Sequence, residues 1–220
     1  MKAILFLPVM LLMAFTVSAQ NCATKNTDAA AKKVLDGVSA KFKTFRTVSG
    51  KFTLKSENAA GKTLSSKSGQ VYLKGNKYRV SITGQEIFCD GTTTWTYDKL
   101  ANEVTVTKAD QSATSITPQK MFTNFYDKDF LYKLNGEKTE GGKVMQEIEM
   151  TPCDKTKPYH KVYVYVDKAG NTISRTKVLE KSNNKYTCTV NSLSPNASVS
   201  DAMFSFDKSK YPGVEVVDLR

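Results

Sequence analysis

Val48-Ser49-Gly50-Lys51-Phe52-Thr53-Leu54-Lys55 is the stretch in which small or apolar residues alternate with polar ones. This period of two is typical of a strand with one buried face and one solvated face. Immediately before it the pattern is helical, because Asp28 can cap a helix whose apolar residues recur at three- and four-residue steps, at Val34, Leu35, Val38, Phe42 and Phe45. The sequence therefore predicts an amphipathic helix over 28–45 and a first strand directly after it.

The alternating pattern continues through most of the chain. Turn signals such as Gly75-Asn76, Asp90-Gly91 and Asn135-Gly136 separate short strands. Further strands are predicted at 64–74, 77–83, 85–89, 93–97, 103–107, 130–134, 144–150, 161–167, 172–181 and 185–193, and a last one at 214–217. A second amphipathic helix is predicted from Pro118, with Met121, Phe122 and Phe125 on one side.

Some eleven strands joined by short turns exclude a parallel α/β fold, because parallel strands need long crossover connections. We expect an α+β, mainly β fold: an incomplete (open) antiparallel β-barrel whose dry face is covered by the two helices. Left bare, that face would expose more apolar surface than soluble monomers tolerate. The helices are therefore expected to form a lid over an apolar cavity.

The N-terminus has the pattern of a signal peptide. Lys2 precedes an apolar run over 3–17, and small residues at Ser18-Ala19 precede the polar Gln20. The run is shorter than the about 20 residues that a membrane-spanning helix requires. We expect export with cleavage after Ala19, so that residues 1–19 are removed. No Pro/Gly/Ser-rich linker divides residues 20–220, which predicts a single domain.

The cysteines and the net charge limit the possible functions further. Cys22, Cys89, Cys153 and Cys188 all follow the predicted cleavage site, so an oxidising compartment would allow two disulfides in any of three pairings. Lys and Arg outnumber Asp and Glu by 32 to 21, but the cations are scattered along strands and do not form a nucleic-acid-binding run. Anionic lipid head groups, an acidic partner or simple solvation of the surface could each explain the excess.

The sequence lacks the usual catalytic equipment. Its one histidine, His160, has no neighbouring nucleophile or carboxylate in a catalytic or metal-ligand spacing. Glu147 and Glu149 lie two apart on a predicted strand and are expected to face water. No glycine-rich phosphate loop connects a strand to a helix. We therefore predict a protein that is not an enzyme and that has no cofactor, no catalytic residues and no metal site.

One motif points to a family. Asp90-Gly91-Thr92-Thr93-Thr94-Trp95-Thr96-Tyr97-Asp98, followed by Glu103-Val104-Thr105-Val106, resembles the periplasmic outer-membrane lipoprotein carrier (LolA-like) family, whose members show D-G-x-x-x-W-x-Y before a turn and a short strand. A helix ending near Phe45, a strand from Gly69 leading to Tyr78, and a tail with Phe204-x-Phe206 follow the same order. The resemblance covers nearly the whole chain after residue 19.

The resemblance implies a monomeric periplasmic carrier that binds the acyl chains of lipoproteins. Its partners would be acylated lipoproteins, an inner-membrane lipoprotein release complex and an outer-membrane acceptor, with no nucleic acid. For the lipid-binding cavity we expect residues from the sheet and from the second helix, namely Phe52, Tyr78, Val80, Ile82, Trp95 and Tyr97, with Met121, Phe122 and Phe125.

The chain also departs from the family pattern. Leu54 stands where members commonly have Gln, and Gly75 stands where they often have Arg-Pro, whose Arg is thought to latch the lid. Lys77 or Arg79 could replace that latch. Three other functions stay open: a binder or transporter of a free lipid or glycolipid, a module that senses mislocalised lipoproteins through a protein partner, and a secreted hydrolase that would need His160.

Overall fold

The computed structural model describes residues 28–109 and 126–220. Helix α1 spans Ala29–Lys43 and α2 spans Tyr126–Asp129. The strands are β1 Thr47–Glu57, β2 Thr63–Lys74, β3 Lys77–Ile82, β4 Gln85–Cys89, β5 Thr93–Asp98, β6 Glu103–Lys108, β7 Phe130–Glu140, β8 Lys143–Pro152, β9 Tyr159–Asp167, β10 Thr172–Glu180, β11 Lys185–Pro195 and β12 Glu215–Asp218. Single 3-10 turns lie at Asp201–Phe204 and Lys208–Lys210.

Helix α1 starts where the sequence predicts, at Asp28. The carboxylate accepts hydrogen bonds from the backbone N–H groups of Ala30 and Ala31 at 2.8 and 3.3 Å, which satisfies two of the free donors of the first turn. Its second oxygen accepts from the N–H of Leu134 at 3.0 Å. These backbone bonds, that of Leu134 first, hold the pKa of Asp28 below its usual value. One side chain thus caps the helix and fixes it to β7.

All twelve strands of the described residues form one sheet, in the order β12-β6-β5-β4-β3-β2-β1-β11-β10-β9-β8-β7. Neighbours are antiparallel except β12, which pairs in parallel with β6. The end strands β12 and β7 do not pair with each other, so the sheet stays open. The prediction of a mainly β, open antiparallel architecture is confirmed, with twelve strands and one parallel pair.

The sheet consists of two chain-contiguous meanders that meet at one seam. Strands β1 to β6 form the first and β7 to β11 the second, and β1 pairs with β11 from Val48↔Pro195 to Glu57↔Lys185. At one end of this seam the side chain of Asn196 accepts from the N–H of Arg46 at 2.9 Å. The seam joins segments that lie far apart in the sequence.

The main core lies between α1 and the second meander. Three helix side chains are at most 4% exposed and pack on apolar side chains of β7, β8 and β9. The members are Ala31, Leu35, Val38, Tyr126, Phe130, Tyr132, Ile148, Met150, Val162, Val164 and Val166. The helix is thus concentrated over β7 to β9.

Several predictions fall elsewhere than expected or outside the description. Cys153 is disulfide-bonded, whereas Cys89 and Cys188 are free thiols, so the pair of disulfides that the sequence allows is not formed. The predicted signal peptide, its cleavage site after Ala19 and the predicted helix from Pro118 up to residue 125 lie outside the described residues. Helices within 28–109 and 126–220 lack the length and hydropathy needed to span a bilayer.

Candidate functional site

The two faces of the sheet can be followed from strand to strand, because directly paired residues share a face. Leu54 pairs with Lys67 on one side and with Cys188 on the other. Cys188 pairs with Thr176, and Thr176 with Val164 of the core under α1. All five side chains therefore lie on the face that contacts α1, the helix face. The opposite face packs against the tail segment from Asp201 to Val214 and is the tail face.

A groove of about 410 Å³ opens on the helix face across the seam. Its volume lies within the range of ordinary small-ligand sites, about 300–1,000 Å³. Strands β1, β2, β3, β10 and β11 contribute its lining, which consists of Leu54, Lys55, Ser56, Ser65, Lys67, Ile82, Thr176, Val178, Tyr186, Thr187 and Cys188. We call this site the seam groove.

The seam groove is apolar along its walls and accessible at its mouth. Leu54 and Tyr186 are 38% and 44% exposed, which is high for large apolar side chains in a strand. Burial raises the pKa of the Cys188 thiol above its usual value, so the thiol is neutral at physiological pH. Exposed apolar surface within a groove is typical of a binding site for an apolar ligand.

A close contact between β1, β2 and β3 forms one wall. A Cβ built on Gly69 would lie 2.4 Å from Cζ of Phe52 and 2.6 Å from Cγ2 of Ile82. Only glycine at this position lets the Phe52 ring cross β2 and reach Ile82. Phe52 therefore supports the wall beside Ile82, which itself lines the groove.

Tyr78 and Val80 lie on the helix face, as predicted, but further from the groove along β3. Val80 pairs with Val71 and Ile87, and Tyr78 pairs with Leu73 and Cys89. Burial, followed by the neighbouring Cys89, raises the pKa of the Tyr78 hydroxyl. Neither side chain is among those that line the seam groove.

A second, smaller cavity of about 240 Å³ lies between the end of α1 and the β2–β3 turn. Phe42 and Phe45 form one side, with ring centroids 5.9 Å apart, and Val48 and Leu73 form the floor. Gly75 borders this cavity with φ +56°, and a Cβ there would meet nothing within 4 Å. Gly75, the departure from the family pattern, thus has open space where a side chain would stand.

Trp95 and Tyr97 lie on the tail face, so the prediction that they share a cavity with Phe52 is corrected. Trp95 pairs with Phe88, and Phe88 pairs with Arg79, which alternates with Tyr78 along β3. Tyr97 is 9% exposed and contacts the rings of Phe206 and Tyr211, with centroids 5.8 and 4.6 Å away. We call the group of Trp95, Tyr97, Val104, Phe206, Tyr211 and Val214 the tail cluster.

Lys77 and Arg79, the candidate replacements for the latch, also lie on the tail face. Lys77 Nζ is 3.2 Å from Asp201, and Arg79 Nη2 is 2.7 Å from Glu86. Burial alone would raise the pKa of Glu86, but hydrogen bonds and charges from Lys99 and Arg79 outweigh it and hold the pKa below its usual value. Both cations thus fix strand ends and the tail, and neither reaches the helix face.

Of the nine residues predicted for the cavity, Ile82 lines the seam groove and Phe52 supports its wall. Met121, Phe122 and Phe125 lie outside the described residues. Sequence reasoning missed Val178, Tyr186 and Cys188, although alternation along β10 and β11 places them on one face. It noted Leu54 as a departure from the family pattern, and this residue lies in the groove wall.

The described residues contain no group of three His, Cys, Asp or Glu side chains placed to bind a metal. His160 is exposed. Glu149 is paired with Lys161, and Glu147 with Lys138 at 3.1 Å. Their side chains are only 19% and 12% exposed, so both are largely covered and do not face water freely as predicted.

The fold was compared with those of solved protein structures. The crystal structure of an uncharacterized conserved protein from Thermus thermophilus has a TM-score of 0.60 at 13% identity, covering 86% of this chain and 99% of that one. Lipoprotein LppX from Mycobacterium tuberculosis has a TM-score of 0.54 at 12% identity, covering 79% and 100%. At such identities the likeness shows a shared fold. No protein with a curated description matches the sequence.

The family model for the outer membrane lipoprotein carrier protein LolA matches residues 43–207. That stretch contains strands β1 to β11, the seam and every residue of the seam groove. Since the match spans well over half of the 220 residues, the chain belongs to the LolA family of outer membrane lipoprotein carrier proteins.

Proposed function

We propose that the protein is an extracytoplasmic carrier that holds acyl chains of a lipid-modified partner in the seam groove. The observation that carries the proposal is an apolar groove that the described residues leave open, in a chain of the lipoprotein carrier family. Each CH₂ group removed from water contributes about 0.8 kcal/mol, so an acylated protein needs such a shelter to cross an aqueous space. No catalytic step is part of this function.

In the finer form of the proposal the cargo is an acylated lipoprotein. It is received from an inner-membrane release complex and delivered to an outer-membrane acceptor in the periplasm, as the family description implies. No chemical reaction drives release of the cargo in this proposal. The groove must therefore bind acyl chains with only moderate affinity, so that the cargo can be transferred to an acceptor. Two half-exposed wall residues, Leu54 and Tyr186, fit such moderate burial.

A carrier of a free lipid is the second candidate. The observation that favours it is the size of the seam groove, about 410 Å³, which suits one ligand of ordinary size. Both candidates place acyl chains against the same walls, and they differ in whether a polypeptide is attached.

The test is to express the full chain with its leader in a Gram-negative host, purify it from the periplasm and identify bound species by native mass spectrometry. Leu54→Trp should fill the groove and abolish the bound species, because this side chain lines the wall. Lys51→Trp, on the same strand but on the tail face, is the matched control and should keep them. Circular dichroism checks that both variants fold.

Acylated polypeptides on the wild type would support lipoprotein carriage, and lipid without polypeptide would support the second candidate. Absence of any acylated species on the wild type would overturn both. Equal occupancy in the wild type and in Leu54→Trp would show that the seam groove is not the binding site.

A further inference from the structure

We propose that the ligand of the seam groove carries an anionic group next to its acyl chain, and that Lys67 binds this group. The inference rests on the proposed function, because it requires the groove to hold an acyl chain. It adds the chemical class of the ligand: an acyl lipid with a phosphate or carboxylate at its head-group end.

The charge of the groove lining carries the argument. Two lysines, Lys55 and Lys67, are among the residues that line it, but Lys55 alternates with Leu54 along β1 and its side chain therefore lies on the tail face. Lys55 Nζ lies 3.1 Å from Glu57 Oε1 and is neutralised by it. Lys67 has no ion pair or hydrogen bond with another side chain in the part of the chain that the structure describes. One uncompensated cation therefore faces an otherwise neutral groove.

The tail face shows what compensation looks like in this protein. There Lys74 Nζ is 2.6 Å from Asp201, and Lys99 Nζ is 2.8 Å from Glu86. Both of these lysines are thus matched by carboxylates of the chain itself. Lys51 of the tail face also has no ion pair among the described residues, so what distinguishes Lys67 is its place in the lining of an apolar groove. An anionic group on a ligand in that groove would supply the negative charge that the described residues do not.

The position of Lys67 along β2 sets the geometry of such a ligand. It pairs with Leu54 on β1, and Ser65, two residues away on the same face, pairs with Ser56. The hydroxyls of Ser56 and Ser65 are 2.8 Å apart, so polar groups border the wall on this side. The apolar side chains of Ile82, Val178 and Cys188 complete the lining. An acyl chain against these walls would leave its head group at Lys67 and the serines.

The test compares two lipids that share one acyl chain. Isothermal titration calorimetry would measure binding of 1-palmitoyl lysophosphatidylglycerol, which is anionic, and 1-palmitoyl glycerol, which is uncharged and has no phosphate, to the delipidated full chain below the concentrations at which the lipids aggregate. We expect the anionic lipid to bind about tenfold more tightly, as one charge-assisted contact provides. Lys67→Met should remove this preference and leave the affinity for the uncharged lipid within about twofold.

Lys51→Met is the matched control, since it removes one positive charge from the neighbouring strand on the opposite face. It should keep the tenfold preference. Equal binding of the two lipids to the wild type, or an equal loss in Lys51→Met and Lys67→Met, would overturn the inference while leaving acyl binding intact. Failure of both lipids to bind the wild type would instead overturn the proposed function.

Discussion

The tail cluster and the seam groove are two apolar regions of one sheet, and they differ in what covers them. In the tail cluster, Phe206 and Tyr211 stack with centroids 4.5 Å apart over the Tyr97 ring, and the C-terminal segment supplies the cover. In the seam groove, Leu54 and Tyr186 remain substantially exposed. Within residues 28–109 and 126–220, the chain therefore covers one apolar surface with its own residues and leaves the other open. A region that the chain completes serves stability, and a region that it leaves open is available to a ligand.

The largest effect that would test this comparison is loss of a side chain under the tail. Phe204 is fully buried, and the turn that carries it contacts β3 and β4. Phe204→Ala should lower the free energy of unfolding by about 3–5 kcal/mol, because it leaves a cavity. Leu54→Ala in the groove should cost about 1 kcal/mol or less, since that side chain is already partly solvated. Urea denaturation measures both, and a larger loss for Leu54→Ala would contradict the comparison.

An intermediate effect is expected at the charge network of the tail face. Glu86→Gln should lower the free energy of unfolding by about 2 kcal/mol at pH 7, because Arg79 and Lys99 lose their carboxylate. The folded-state pKa of Glu86 is depressed, so its contribution is present above the unfolded pKa and is lost as pH falls through the folded pKa. The difference between the variant and the wild type should therefore shrink below about pH 4.

Lys99→Met is a companion variant, because it removes one of the two cations and leaves Arg79 in place. Its cost should be smaller than that of Glu86→Gln. Urea denaturation repeated between pH 3 and pH 8 separates the two. A difference that stays constant over this range would show that the Glu86 carboxylate does not contribute through its charge.

The smallest effect concerns the thiol in the groove wall. Because burial raises the pKa of Cys188, its alkylation by iodoacetamide at pH 8 should be several-fold slower than that of an ordinary thiol and should speed up as pH rises. Cys89, which is 2% exposed, should not react in the folded protein. A bound acyl chain should slow the reaction of Cys188 further. Mass spectrometry of the labelled peptide measures this, and a rate indifferent to lipid would place the ligand elsewhere.

The sequence was sufficient to predict where most helices and strands lie, but not which face of the sheet each side chain occupies. Alternation gave the strands near their observed bounds, and Asp28 gave the start of α1. The same alternation could not show that Trp95 and Tyr78 face opposite sides. Two turns separate their strands, and each turn can preserve or invert the face that a pattern marks as apolar. The correction at Trp95 and Tyr97 follows from this ambiguity.

The composition of the groove was also beyond reach from local pattern. Leu54 and Cys188 are direct partners, yet 134 positions separate them in the numbering. A period of two identifies which residues of β11 share a face, but it does not identify β1 as the neighbour of β11. The family resemblance pointed to the correct fold and to an apolar cavity. The seam that creates the cavity became visible only from strand pairing.

The seam between β1 and β11 also determines the stage of folding at which the groove is complete. Each meander can form from residues close in sequence, whereas the seam joins segments more than a hundred residues apart and belongs to the slow part of folding. Five of the eleven groove residues lie on β10 and β11, across the seam from Leu54 and Ile82, namely Thr176, Val178, Tyr186, Thr187 and Cys188. A chain whose two meanders have formed but have not yet paired therefore has no complete groove, and the groove exists only once the seam has closed.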